Sequence, residues 1–181
     1  MKIEVVDYNP VWRQQFEQVH SLLSDLIGED CVAIEHVGST SVEGLAAKPK
    51  IDIDIVVESK AQSQKCIEIL CQNEYRHRGN LGIADREVLQ ALNPPFAYNL
   101  YVCLQKSSAL KNHLTLRNHL RKNLDDRDEY SKLKKELAKK FPDNIDSYVS
   151  GKTNFIVSIL SKYDFSIEVL ESIVRANSNT R

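Results

Sequence analysis

Two aspartates one residue apart, Asp52 and Asp54, follow a Gly38-Ser39 pair after a gap of twelve residues. These are the residues whose types and spacing could do chemistry. The segment Ile51-Asp52-Ile53-Asp54-Ile55 alternates with the period of a strand, so both carboxylates point to one side. At about 3.3 Å of rise per residue their Cα atoms stand roughly 6.5–7 Å apart, a spacing from which two side chains can converge on one divalent cation. A small-residue turn ahead of them lets a phosphate approach the backbone N–H groups. Together they point to phosphoryl or nucleotidyl transfer assisted by Mg²⁺ or Mn²⁺, with Asp52 and Asp54 as catalytic residues and metal ligands. An Asp-x-Asp alone is also what a strand with a solvated outer face looks like; the Gly-Ser turn at this distance favours the chemical reading.

Other residues can serve the same site. Gly38, Ser39 and Thr40 would hold phosphates through the backbone and hydroxyl groups, although Gly-Ser-Thr-Ser is equally good material for an ordinary turn. His36 precedes that turn and is a secondary candidate beside the reading of a packed strand histidine. Lys48 and Lys50 flank Pro49 just before the acidic strand, where either can neutralise phosphate or sit at the surface of a rigid turn. His113, Arg117 and Arg121 fall at i, i+4 and i+8, on one helical face. Guanidinium groups there could clamp phosphate bidentately, and Lys134 and Lys152 could add to them. For Lys134 a solvated basic stripe explains the residue at least as well. Arg86 lies in a segment of ambiguous structure and carries little weight.

The wider text around these residues is more specific. Gly-Ser followed by Asp-x-Asp on a strand resembles the signature of the nucleotidyltransferase superfamily, the polymerase-β-like enzymes. His36-Val37-Gly38-Ser39-Thr40-Ser41-Val42 with Gly44-Leu45-Ala46-Ala47-Lys48-Pro49 is similar to the GrpB family within it. Asn99 to Cys103, His113-Leu114 with Arg117 and Leu120-Arg121, Tyr130 with Leu133-Lys134, and Tyr148 with Lys152 and Phe155-Ile156 extend the likeness from about residue 6 to 163. Glu43 departs from it, standing where the resemblance leads one to expect proline. The resemblance implies a nucleotidyltransferase-like mixed β-sheet covered by helices, an α+β fold, and favours a ligand-facing role for Arg117 and Arg121. GrpB-like domains also occur joined to dephospho-CoA kinase, an association with nucleotide or coenzyme A metabolism. Polymerase-β-like transferases usually carry a third carboxylate on a neighbouring strand. The strand expected there offers Asn99 and Tyr101 instead, both secondary candidates for substrate contact. The expectation is therefore a nucleotidyltransferase using Mg-NTP and an unassigned acceptor, with a protein that binds a nucleotide or phosphorylated small molecule without turnover as the alternative.

Composition bounds these readings. The chain has 181 residues, 42% of them hydrophobic, and a formal net charge of −1. That suits one domain over residues 1–181, a sheet-bearing core to about 105 and a helical section over about 106–175. Charge is uneven: residues 1–60 hold eleven Asp/Glu against five Lys/Arg, and residues 106–152 hold twelve Lys/Arg against seven Asp/Glu. The basic stretch lacks interleaved aromatics and the pI is near 6.5, which argues against nucleic acid as the partner. There is no apolar run of membrane-spanning length and no signal-peptide pattern, so a reducing cytoplasm is expected. Cys31, Cys66, Cys71 and Cys103 lack zinc-site spacing; Cys31 and Cys103 read as buried strand thiols. The sequence is neutral on oligomeric state.

The elements that must position the site are legible in outline. Asn9-Pro10 opens a helix ending at Gly28, with Val11, Phe16, Val19, Leu22, Leu23 and Leu26 as its apolar residues. Cys31–Val37 reads as the strand leading into the Gly-Ser turn, Lys50–Glu58 as the acidic strand, and Ala61–Glu74 as a helix. Tyr75–Gly79 reads as a short strand, Gly82–Leu92 as an edge strand or irregular loop, and Phe96–Leu104 as a central strand. Helices follow from Ser107 or Ser108, from Asp125 or Asp126, and from Asp143 or Asn144. A last amphipathic piece contains Ile167, Leu170, Ile173 and Val174, and a frayed polar tail is expected over 177–181.

Overall fold

The computed structural model describes residues 2–178; part of the expected frayed tail, residues 179–181, lies outside the described residues. Helix α1 (Val11–Ile27) starts where the Asn9 side chain accepts a hydrogen bond from Val11 N at 3.0 Å. Its buried stripe is Trp12, Val19, Leu23 and Ile27, while Val11 and Leu22 are exposed. The apolar surplus on this helix is wider than the face the sheet can cover, so composition alone misjudges which residues pack. Strand β1 (Ala33–Val37) leads to a single 3₁₀ turn over Ser39–Ser41, and β2 (Ile51–Val57) carries the acids. Helix α2 (Lys60–Gln72) is capped by the Ser59 hydroxyl, which accepts from Gln62 N at 3.2 Å. Strands β3 (Tyr75–His77), β4 (Arg86–Ala91) and β5 (Tyr98–Leu104) complete a mixed sheet in the order β1-β2-β5-β4-β3.

Only the β2–β5 pair is parallel; β1–β2, β5–β4 and β4–β3 are antiparallel. Strand β4 is therefore internal rather than an edge strand, flanked by β5 and the short β3. The irregular part of the ambiguous segment is confined to the residues before it, where Leu81 and Asp85 adopt left-handed φ values of 48° and 57°. Cys31 precedes β1 and is only half-buried, because the strand begins two residues later than its apolar pattern suggests.

Four helices follow: α3 (Ser108–Lys122), α4 (Leu124–Lys140), α5 (Ile145–Leu160) and α6 (Ile167–Ser178). Ser107 caps α3 and Asn144 caps α5 through their side-chain oxygens. Helix α4 begins at Leu124, ahead of the aspartates that then occupy its first turn, where they complement the helix dipole. No helix among the described residues is long and apolar enough to cross a membrane.

The sheet has two unlike faces. Ile51, Ile53, Ile55 and Val57 join Leu100 and Val102 in packing against α1 and α2. Fully burying each such side chain is worth about 1.5–3 kcal/mol, which makes this face the main source of stability. The opposite face presents Asp52 and Asp54 on β2 beside Asn99 and Tyr101 on β5, and α3 lies over it, with Leu110 and Leu114 on Val56 and Cys103. With both faces covered, six of the seven β2 residues are buried. A one-residue slip of β2 would exchange the acids for isoleucines, so the apolar face enforces the register of the polar one.

Candidate functional site

Gly38 sits at φ +69°, and a Cβ there would overlap the Asp52 carboxylate. The chain can therefore bend between β1 and the 3₁₀ turn only with glycine, and the bend brings Ser39 beside Asp52. Asp52 Oδ1 accepts a hydrogen bond from Asn99 Nδ2 at 2.6 Å, directly across the β2–β5 ladder. Burial raises the Asp52 carboxyl above its usual range; the Asn99 hydrogen bond and the nearby His113 and Lys50 oppose that rise, and Asp54 adds to it. Asp54 is completely buried. Its Oδ2 accepts from His113 Nδ1 at 2.8 Å, and its Oδ1 is buried with no partner. Burial alone would lower the His113 imidazole, but the charge and hydrogen bond of Asp54 hold it above its usual value.

Asp52 opens into a cavity of about 240 Å³, also lined by Gly38, Ser39, His113, Arg117, Tyr130 and Lys152. Lys134 is only 2% exposed. Its ammonium donates to Ser39 Oγ at 2.9 Å and to the Ala46 carbonyl, and lies 4.5 Å from the Tyr130 ring centroid. Lys152 and Lys48 stand 4.6 and 5.6 Å from the centroid of the Tyr148 ring. Burial lowers all three amines: Lys134 well below its usual value, with Lys152 adding to the effect; Lys152 to about 8, with Lys48 adding; and Lys48 more mildly. Asp52 is the acid that pulls each of them back up. The corner between Ser39 and Asp52 is thus crowded with cations and short of negative charge, the condition a bound polyphosphate would relieve.

The expected stripe on α3 exists, but its members diverge. His113 turns to Asp54. Arg117 is tied by Nη1 to Glu35 Oε2 at 2.6 Å and to the His36 carbonyl at 2.9 Å, and still lines the Asp52 cavity. Arg121 donates through Nε and Nη2 to the Ser41 carbonyl at 3.1 and 2.8 Å, on the far side of the turn. There it lines a separate cavity of about 800 Å³ with Phe16, His36, Thr40 and Arg127. His36 and Thr40 bond to each other at 3.1 Å, and the imidazole stacks on Phe16 at 4.7 Å. Burial, then Arg121 and Arg117, push His36 down to about 4, so it is neutral at physiological pH. Of the sequence-derived candidates, Gly38, Ser39, Asp52, His113, Arg117 and Lys152 line one cavity. Asp54, Asn99 and Tyr101 do not line it: Asn99 is bonded to Asp52, Asp54 to His113, and Tyr101 stands across the ladder from Asp54. His36, Thr40 and Arg121 face the other cavity, and Lys48 is held at Tyr148. The turn itself separates them: its first residues face one way and its last residues the other.

Sequence reasoning passed over Glu35 and gave little weight to Lys134 and Arg86. Glu35 pairs with Asp54 across β1 and β2, so it is a further acid on the same sheet face. Lys134, for which a solvated stripe is from sequence alone at least as good an explanation as a place in the phosphate clamp, is buried against Ser39. Arg86 opens β4 opposite Cys103, and its guanidinium lies 4.7 Å from the centroid of the Tyr101 ring. For Glu35 the signal was available, since it shares its strand face with the residue opposite Asp52, but only once the register is known.

Comparison with known proteins identifies the family and the fold. A family model described as GrpB protein matches residues 2–162. The chain is 35% identical over 155 residues to the UPF0157 protein YqkA of Bacillus subtilis, covering 86% of this chain and 45% of that protein. It spans less than half the length of that relative. The crystal structure of GrpB from Enterococcus faecalis superposes with a TM-score of 0.78 at 32% identity, covering 93% of this chain and 98% of that one. The Cid1 poly(U) polymerase bound to MgATP superposes at 0.59 with 13% identity, over 86% of this chain and 51% of the other, a likeness of fold.

Proposed function

This chain belongs to the GrpB family and has a nucleotidyltransferase-like fold, and on that premise we propose that it is a nucleotidyltransferase acting on a metal-bound NTP. The observation that carries the reading is the pair of unlike carboxylates. Asp52 opens into the cavity beside Ser39, and behind it Asp54 Oδ1 is buried without a hydrogen-bond partner, with the weakly donating Cys103 thiol close to the carboxylate. An orphaned carboxylate oxygen in the interior is costly, and a divalent cation shared with Asp52 would satisfy it. The donor set fits: Asp52 and Asp54 would hold Mg²⁺ or Mn²⁺ through hard oxygen ligands. Bound there, the ion would neutralise charge on the polyphosphate.

The chain's own residues do the rest. Ser39 and the backbone after Gly38 bind the polyphosphate, Lys152 and Lys134 supply positive charge to it, and Arg117 faces the same cavity. Asn99 keeps Asp52 oriented, and His113 does the same for Asp54. The acceptor oxygen bonds to the α-phosphorus, and the bond to the bridging oxygen breaks. Pyrophosphate departs with that electron pair, and the acceptor proton passes to water. The proposal treats residues 1–181 as one domain and places it in the cytoplasm, where Mg-NTP is abundant.

One observation favours a second reading. Asn99 and Tyr101 stand on β5 beside the two aspartates, where a third carboxylate would be expected, and Glu35 on the other side is engaged by Arg117. The same cavity would then hold a nucleotide without turnover. A panel of NTPs with Mg²⁺ or Mn²⁺, read by melting temperature and by pyrophosphate release, separates the two. Stabilisation with release supports the transferase, stabilisation without release supports the binder, and no response to any nucleotide removes both.

A further inference from the structure

A second cavity, of about 370 Å³, adjoins the first. It lies between the loop ahead of β4, the first turns of α3 and one face of α6, and is lined by Asp85, Arg86, Ser108, Asn112, His113 and Ser172 among others. Asn112 and His113 line both cavities, so the two meet at the imidazole that holds Asp54. We propose that this second cavity is the acceptor subsite and that Arg86 binds an oxyanion, phosphate or carboxylate, carried by the acceptor. The assignment rests on the transferase reading above; the oxyanion site does not.

Arg86 carries the argument. Its Nε is buried without a hydrogen-bond partner, and among the described residues it forms no ion pair. Its contact is the Tyr101 ring, which steadies the guanidinium plane while offering no negative charge. The other arginines near the site are all spent: Arg117 on Glu35, Arg121 on Ser41, and Arg127 on Asp128 and the Glu43 carbonyl. A guanidinium fixed on one face, with a buried N–H unmatched, is prepared to accept the two oxygens of a phosphate or carboxylate. The position suits a second substrate. With the polyphosphate at Ser39 and Lys152, the space left beside His113, the partner of Asp54, is the cavity lined by Arg86. Asp85 borders this cavity without pairing with Arg86, so the entering anion meets an uncommitted cation.

The test uses inorganic phosphate as the probe, without divalent metal, measured by calorimetry. In a Ser39→Ala/Lys152→Gln background, which removes phosphate binding at the nucleotide cavity, phosphate should still bind. Adding Arg86→Gln should weaken it by about tenfold or more, and Arg86→Lys should give an intermediate loss, since a point charge replaces a bidentate fork. Phosphate binding in that background that ignores Arg86→Gln, or no binding there at all, would overturn the proposal. If Arg86→Gln fails to fold, Arg86→Lys decides: affinity equal to that of the background counts against the site. Malonate in place of phosphate distinguishes the source, tighter phosphate marking a phosphorylated acceptor and tighter malonate a carboxylate one. Wild-type protein that ignores MgATP yet shows Arg86-dependent phosphate binding would lose the transferase reading and keep the oxyanion site.

Discussion

The Lys134 ammonium donates to the Ser39 hydroxyl at 2.9 Å from a position that is 2% exposed. A buried amine joined to a turn hydroxyl and a backbone carbonyl, with no carboxylate bonded to it, is a poor device for stability. An apolar side chain of similar volume would fill the space without the desolvation cost. It is a good device for holding a phosphate-binding serine. Lys134→Met is therefore expected to fold with a melting temperature equal to or above the wild type. Its stabilisation by MgATP should fall, with affinity weaker by about tenfold, close to 1.4 kcal/mol. Thermal melts with and without nucleotide check both halves, and a variant that is less stable but binds nucleotide as before would contradict the assignment.

The two aspartates should separate in their effects. Asp54→Asn preserves shape but removes the charge that His113 faces and the orphaned oxygen available to a cation. Loss of Mn²⁺-dependent stabilisation is expected, and loss of pyrophosphate release by about a hundredfold or more if turnover occurs. Asp52→Asn should keep the Asn99 contact in some form and lose turnover similarly. Full activity in the double variant would exclude this cavity as the active site.

Gly38 and Gly44 both have positive φ, 69° and 79°, but meet different neighbours. A Cβ at Gly38 would run into the Asp52 carboxylate, whereas at Gly44 it would meet the end of the Arg127 side chain. Backbone strain makes each alanine variant less stable, by about 1–3 kcal/mol. Gly38→Ala should also abolish nucleotide-dependent stabilisation, while Gly44→Ala should retain most of it because a guanidinium can swing aside. Chemical denaturation with and without MgATP compares them.

His36 predicts part of the acid response. Its folded value, about 4, lies below the 6.5 of an unperturbed imidazole. Between these values the unfolded chain binds a proton that the folded chain refuses, so stability contributed at neutral pH is lost as pH falls from 6.5 toward 4. The full shift corresponds to about 3 kcal/mol. Asp52 acts with the opposite sign, since its raised carboxyl favours the folded state as it takes up a proton. Urea titrations of wild type and His36→Gln across pH 4–7 isolate the imidazole: the wild type should lose stability relative to the variant as pH falls from 6.5 toward 4, and parallel curves would refute the effect.

What was legible in the sequence was local. The alternation of Ile51 to Ile55, the glycine before Ser39 and the Asn9 side chain at the start of α1 depend on a few neighbouring residues and appear in the structure as read, and Ser107 and Asn144 are the capping members of the two pairs, Ser107 or Ser108 and Asp143 or Asn144, that the sequence left open. The shared face of His113, Arg117 and Arg121 was also correct as helical geometry. Their targets were not legible, because Glu35, the His36 carbonyl and the Ser41 carbonyl are some eighty residues distant and become neighbours only through β1–β2 pairing and the seating of α3. Lys134 admits two readings from sequence for the same reason: a lysine in a charged helix looks solvated until a turn from another part of the chain is placed over it. Val11 and Leu22 illustrate the converse, apolar residues at helical spacing that the sheet leaves uncovered.

Helix α3 is fastened at successive turns to three consecutive parts of one edge of the molecule, through His113 to β2, Arg117 to β1 and Arg121 to the serine-bearing bend. One rod thereby acts as a splint across both hollows. Displacing it by a single pitch, about 5.4 Å, would break all three fastenings together. An occupant of either hollow that draws on His113, Arg117 or Arg121 would therefore act on the seating of one and the same helix.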